Sequence, residues 1–355
     1  MSARTLPATV PAAMAEAAAA IRAGELVAFP TETVYGLGAN ALDGVAVARI
    51  FEAKDRPRFD PLIVHLADSA DLARYADPGD VADPRVVRLA SRFWPGPLTL
   101  VLRKRSAIPD LVTAGLDTVG LRVPDHPVAL RLIEAAGVPI AAPSANRFGG
   151  LSPTRAEHVR RQLGEQIGLI LDGGPSRIGV ESTVLLLAGG RAVLLRPGGL
   201  PAEEIESEIG PIEPGGTAAG DALARSPGTA AAHYAPESPL AIAPPGVPVV
   251  VESGERVGLL ASSRAARAEA ERLGARFTAV EVPAPDGDLL RFAAGLFEAL
   301  HRLDAANLDR IVAQPVSETG IGQAVMDRLR RAERGSGEVG QVRGSGQVKG
   351  ARSVR

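Results

Sequence analysis

Residues 25–66 read ELVAFPTETVYGLGANALDGVAVARIFEAKDRPRFDPLIVHL, and the alternation within them decides the fold. Residues 25–30 form a short apolar run that suits a strand. Residues 41–54 carry helical spacing through Val45, Ala48 and Ile50, and residues 62–66 (LIVHL) read as a buried strand. Strand, helix and strand in succession predict an α/β layer. Working outward, helices are expected at 11–23 (stopped by Gly24), 69–75, 85–93, 127–136 and 154–163. Strands are expected at 98–102, 118–123, 140–142 and 167–171. A hairpin of 184–187 and 192–195 around Gly189-Gly190 makes the sheet mixed.

This first domain spans 1–208. Residues 209–240 are rich in Gly, Pro and Ala and read as an extended linker. A smaller α/β domain follows at 241–333, with strands at 247–251, 257–260 and 277–282 and helices at 264–273, 288–304 and 323–331. Residues 334–355 repeat Gly-Ser-Gly, lack apolar periodicity and carry five basic residues against one acid. A disordered basic tail is expected there.

A chain of 355 residues suits two domains, and 46% hydrophobic residues can build a sizeable core. Only 3% are aromatic, so that core is aliphatic. The absence of cysteine excludes disulfides, thiolate metal sites and a cysteine nucleophile. A net charge of −2 gives no global attraction to nucleic acid. No apolar run approaches the ~20 residues of a membrane span, so a cytoplasmic protein is expected.

Six stretches carry polar groups in or beside expected strands and helix ends. Pro30-Thr31-Glu32-Thr33-Val34-Tyr35-Gly36-Leu37-Gly38 reads as a polar, Gly-containing loop off a strand, where α/β folds place ligands. Gly36-Leu37-Gly38-Ala39-Asn40-Ala41 mimics a dinucleotide fingerprint, yet five residues separate it from the strand, against that reading. Lys54, Arg56 and Arg58, pinned by Pro57 and Pro61, make a compact anion site suited to a triphosphate, or else a solvated turn. Lysine occurs only three times in the chain, which makes Lys54 more informative. Arg122 lies in a strand and, once buried, needs an anionic partner such as a carboxylate. Ser144, Ser182, Thr183 and Arg196 complete an array of hydroxyls and cations suited to a polyanion plus a small zwitterion. His65, alone in its strand, has no second histidine at ligand spacing, so no bound structural metal is expected. Neither a P-loop nor a Gly-x-Ser-x-Gly elbow occurs.

The ordered motifs PTETVYGLG (30–38), KDRP (54–57), PLIVH (61–65), PSAN (143–146), ESTV (181–184) and RPG (196–198) resemble the YrdC-like domain of the L-threonylcarbamoyladenylate synthases. Ser226-Pro227-Gly228 and His233-Tyr234-Ala235-Pro236 resemble the linker of the longer, two-domain form. The resemblance covers about residues 12 to 332. It implies a YrdC-like twisted open mixed sheet with helices, plus a smaller Rossmann-like α/β C-terminal domain. It also implies an enzyme that makes L-threonylcarbamoyl-AMP from L-threonine, bicarbonate or CO2 and ATP, with Mg2+, releasing pyrophosphate. A transferase complex downstream would use the product to modify adenosine 37 of tRNA, and no direct tRNA contact is expected. Carried over, Lys54 and Arg56 would be catalytic. Thr33, His65, Arg122, Ala142 and Ser182 would bind threonine. Arg56, Asp60, Thr118, Ser144, Ser152, Arg196 and Tyr234 would bind ATP. Asp60 stands where the family usually has asparagine, and its charge would need compensation from Mg2+ or Arg58. The competing reading is a non-enzymatic RNA-binding protein using a basic concave surface of Lys54, Arg56, Arg58, Arg122 and Arg196.

Overall fold

The computed structural model of the chain describes residues 2–215, 233–244, 247 and 249–344; Ser226-Pro227-Gly228 lies outside them. The first domain is built on eleven strands: β1 (Arg4–Pro7), β2 (Val27–Phe29), β3 (Gly36–Asn40), β4 (Ile63–His65), β5 (Leu98–Arg103), β6 (Thr118–Arg122), β7 (Ile140–Ala141), β8 (Leu169–Asp172), β9 (Thr183–Leu186), β10 (Val193–Arg196) and β11 (Glu213–Pro214). Their order is β1-β8-β2-β3-β7-β4-β6-β5-β9-β10-β11, with parallel and antiparallel pairs. Alternation along β2 sorts its side chains to two faces. Val27 and Phe29 pack with Ile21 and Leu132 of the helices Pro11–Arg22 and Pro127–Ala136. Ala28 packs with Val47 and Ile50 of the Gly44–Lys54 helix on the other face. That helix is capped by Asp43, whose carboxylate accepts the N–H groups of Val45 and Ala46.

One expectation is overturned within this sheet. Gly36–Asn40 is a buried strand between β2 and β7, where a ligand-binding loop is expected from the sequence. Packing explains its glycine. A Cβ on Gly38 would lie 2.7 Å from the Phe29 ring and 2.8 Å from Ile140 Cγ2, so a side chain there has no room. The dinucleotide-like pattern is therefore a packing signature.

The second domain has four parallel strands, β12 (Leu240–Ile242), β13 (Val257–Leu260), β14 (Ala279–Glu281) and β15 (Arg310–Ala313), in the order β12-β15-β13-β14. The described residues of 247–251 form no strand; the first strand is β12, at the end of the expected linker. The last helix, Gly322–Gly344, runs through 334–344, where a disordered tail is expected. Its continuation has a tertiary cause: Glu333 and Ser336 accept the N–H groups of Ile242 and Leu240, at 2.8 and 2.9 Å, along the edge of β12. Among the described residues no helix is long and apolar enough to cross a membrane.

The two domains share a core. Val34, Leu151 and Val180 of the first pack with Phe292, Leu296 and Phe297 of the second. Gly179, at φ +77°, lies so close that a Cβ would meet Ala293 O at 2.4 Å. His158 and His301, one from each domain, stack with ring centroids 3.8 Å apart. Around them stand Arg155 and Arg161 from one helix and Glu298, Arg302 and Asp304 from the other.

Burial is the main cause that pushes these two imidazoles down, His158 to about 4 and His301 to about 3. The unfolded chain therefore binds protons below about pH 6.5 that the folded chain refuses, and stability falls as pH falls through this window. The expected loss is at most about 1.4 kcal/mol per pH unit for each ring. Urea unfolding at pH 7 and pH 5 checks it: a His158→Phe/His301→Phe protein should show a shallower decline than wild type.

Candidate active site

Adjacent strands set the first pair of groups. β4 and β6 run parallel with His65 in register with Arg122, so both side chains stand at the same end of the sheet. Arg122 is buried and its guanidinium is fully engaged on one side: Nη2 to Glu32 Oε1 (2.5 Å), Nη1 to Thr33 Oγ1 (3.1 Å), Nε to Gly96 O (3.1 Å). The required carboxylate is thus supplied by Glu32, which sequence reasoning quoted within its motif without singling out. Glu32 Oε2, also buried, has no protein partner. The loop that brings Glu32 and Thr33 here is folded by Thr31. Its hydroxyl donates to Val34 O (2.6 Å) and accepts the N–H groups of Thr33 and Val34. Burial, then the Arg122 charge, push His65 down to about 3, so its ring is neutral.

A second group gathers around Arg196 at the end of β10. Its guanidinium donates to Ser182 O (2.8 Å) and Ser182 Oγ (3.3 Å), and Ser182 Oγ also meets Thr99 Oγ1 at 2.8 Å. Neighbouring Glu181 accepts from Ser152 Oγ (2.5 Å) and from Arg328 Nε (2.7 Å) of the second domain. Burial would raise the Glu181 carboxyl; Arg328 and then Arg196 outweigh it and hold it below the ordinary range.

The linker closes the arrangement. Tyr234 is 1% exposed, at φ +62°, beneath the Arg328 guanidinium at 5.1 Å and beside the Phe297 ring. Ala235 N donates to Gly149 O, and His233 packs its ring against Phe148. A cavity of about 50 Å³ results, and Thr33, His65, Arg122, Ala142 and Ser182 all line it. So do Arg56, Ser144, Arg196 and Tyr234, with Thr31, Glu181 and His233 added.

Four of the expected residues do not line it. Lys54 is 1% exposed, and its ammonium donates to Ser144 O (2.6 Å) and Asn146 O; it holds the Ser144 loop from behind. Asp60 pairs with Arg56 (2.9 Å), so its compensating cation is Arg56, while Arg58 is exposed. Ser152 is buried against Glu181. Thr118 sits at the other end of β6 from Arg122, about 13 Å away at strand rise. Nor do the five expected cations form a basic surface: Lys54, Arg56, Arg122 and Arg196 are each at most 6% exposed, and Arg58 alone of the five is exposed. Ala142 N donates to Ile63 O, so that N–H is already engaged within the sheet.

A sheet-based α/β domain with buried cations and hydroxyls around one cavity defines the YrdC-like class. Residues 19–198 match the Sua5/YciO/YrdC family, described as telomere recombination, and residues 200–333 match the threonylcarbamoyl-AMP synthase C-terminal domain. The chain belongs to the threonylcarbamoyl-AMP synthase family, in its two-domain form. It is 46% identical to the threonylcarbamoyl-AMP synthase of Bacillus subtilis over 331 residues, covering 91% of this chain and 93% of the relative. Identity to the Pyrococcus abyssi synthase is also 46%, over 329 residues, covering 89% and 92%. The crystal structure of P. abyssi Sua5 complexed with L-threonine superposes with a TM-score of 0.80 at 43% identity, covering 91% of this chain and 94% of that one.

The buried Arg122–Glu32 pair yields a direct expectation. Glu32→Gln keeps the shape but leaves a buried guanidinium uncompensated, which should lower stability by roughly 3–5 kcal/mol. Equilibrium urea unfolding measures it; a loss below about 1 kcal/mol would mean that water already screens the pair.

Proposed function

We propose that this chain synthesises L-threonylcarbamoyl-AMP from L-threonine, bicarbonate or CO2 and ATP, releasing pyrophosphate, for threonylcarbamoyladenosine formation in tRNA. The observation that carries this reading is the single cavity shared by Arg122, His65 and Ser182 on one side and Arg56, Ser144 and Arg196 on the other. One cluster suits an amino acid, the other a polyanion, and the threonine complex of the P. abyssi relative supports the first assignment.

In this reading Arg122 and the Thr33 hydroxyl receive the threonine carboxylate, with Ser182, neutral His65 and the Ala142 carbonyl around the rest of the molecule. The threonine amine adds to CO2, or to bicarbonate with loss of water, and gives an N-carboxylate. A carboxylate oxygen attacks the α-phosphorus of ATP, the bond to the β-phosphate oxygen breaks, and pyrophosphate leaves. Charge accumulates on phosphate oxygens during this step, and Arg56 and Arg196 are the cations suited to stabilise it. Ser144 and Tyr234 are assigned to the nucleotide, with Lys54 holding the Ser144 loop, Ser152 holding Glu181 and Asp60 setting the pose of Arg56, while Thr118, at the far end of β6, lies outside the cavity. Both acids nearest the phosphates, Asp60 and Glu181, are bound by arginines, so Mg2+ would travel on the phosphates of ATP. There it would neutralise phosphate charge. The product would pass to a tRNA-modifying transferase.

The RNA-binding reading loses its basis with its surface, since cations buried in a cavity cannot follow a phosphate backbone. Tyr234, packed over the cavity, serves as a lid that closes on ATP and shields the labile intermediate from water, while residues 216–232 of the expected lid lie outside the described residues.

Pyrophosphate release from ATP is the test. Release should require both threonine and bicarbonate, and serine should not replace threonine; release indifferent to either would sink the reading. Tyr234→Ala should lower both ATP affinity and the yield of intermediate, and unchanged values for both would remove the lid.

A further inference from the structure

The stacked histidines at the domain junction hold one short segment from two sides. His158 belongs to the helix Ala156–Leu163 and His301 to the helix Leu289–Asp304; both rings are buried. Thr154 N donates to His158 Nδ1 at 3.3 Å. His301 Nε2 lies 3.2 Å from Ser152 O, a carbonyl that can only accept, so this nitrogen carries the proton. Each ring thus has a partner on residues 152–154 and its face on the other ring.

That segment is tied to the cavity by three more bonds. Tyr35 N donates to Pro153 O, and Tyr35 O accepts Ala145 N, beside Ser144, both at 2.8 Å. Ser152 Oγ donates to Glu181, a cavity residue. Glu298, which approaches His158 Nε2 at 3.7 Å, is itself fixed by Arg155 at 2.7 Å, so the stack cannot slide without breaking an interdomain ion pair. A displacement of Ser152–Thr154 must therefore reach both the Ser144 loop and Glu181.

We propose that His158 and His301 form a positioning pair through which the C-terminal domain fixes the nucleotide side of the cavity without touching the nucleotide. The proposal rests on the synthase reading for the assignment of that side to ATP.

The full-length chain is compared with two variants. His301→Phe keeps an aromatic face on His158 but removes the donor to Ser152 O; His301→Gln restores a donor and loses the ring. Calorimetric ATP affinity should weaken about tenfold in His301→Phe and by no more than about threefold in His301→Gln, the scale of one hydrogen bond. KM for threonine and kcat should stay within about twofold of wild type. ATP affinity unchanged in His301→Phe overturns the proposal. So does a loss shared equally by ATP, threonine and thermal stability in both variants, which would make the pair merely structural. If His301→Phe does not fold, His158→Gln against wild type carries the same comparison. A wild-type protein that binds ATP yet releases no pyrophosphate would refute the synthase reading, while the affinity comparison would still decide the role of the pair.

Discussion

Everything around the cavity follows from having to bury arginine. A guanidinium removed from water needs a carboxylate and further acceptors, or folding becomes too costly. Arg122 obtains Glu32, Thr33 and the carbonyl of Gly96; Arg56 obtains Asp60 and the carbonyls of Asp60 and Pro61. Arg328 obtains Glu181, Asp327 and Pro197 O. Apart from Asp327, on the helix of Arg328 itself, these acceptors come from the ends of loops next to strands, so satisfying the charge also shapes the loops. The cavity is what remains between these neutralised clusters.

The same requirement joins the domains. Glu181 belongs to the first domain, and its cation Arg328 to the last helix of the second, so this buried ion pair crosses from one domain to the other. Apolar contacts reinforce the tie, since Tyr234 packs between Arg328 and Phe297 while its chain neighbour Ala235 bonds to Gly149. The C-terminal domain thereby stands behind the wall of the site and supports it.

The sequence made much of this visible, for physical reasons that also mark where it failed. Helices with strong apolar periodicity, such as Pro127–Ala136 and Leu289–Asp304, stand where the pattern puts them. β3 was hidden because glycine, alanine and asparagine have little strand preference; only contact with Phe29 and Ile140 demands them. β12 was hidden inside a Gly/Pro-rich stretch. The motif residues do converge on one cavity, which spacing along the chain could not guarantee. What stayed illegible was pairing. The need of Arg122 for a carboxylate was readable, its choice of Glu32 was not, and nothing in the sequence said that Lys54 would point away from the cavity toward two carbonyls.

The helix Gly322–Gly344 guards the rim of the second sheet. Among the described residues β12 pairs only with β15, and its other side would otherwise offer bare N–H groups. Ser336 and Glu333 occupy those of Leu240 and Ile242. A bare rim of this kind is a template on which a second molecule can add its own strand. The stretch around Ser336, poor in apolar pattern, thus has a use that its composition conceals: it caps an edge that would otherwise stand open to such pairing.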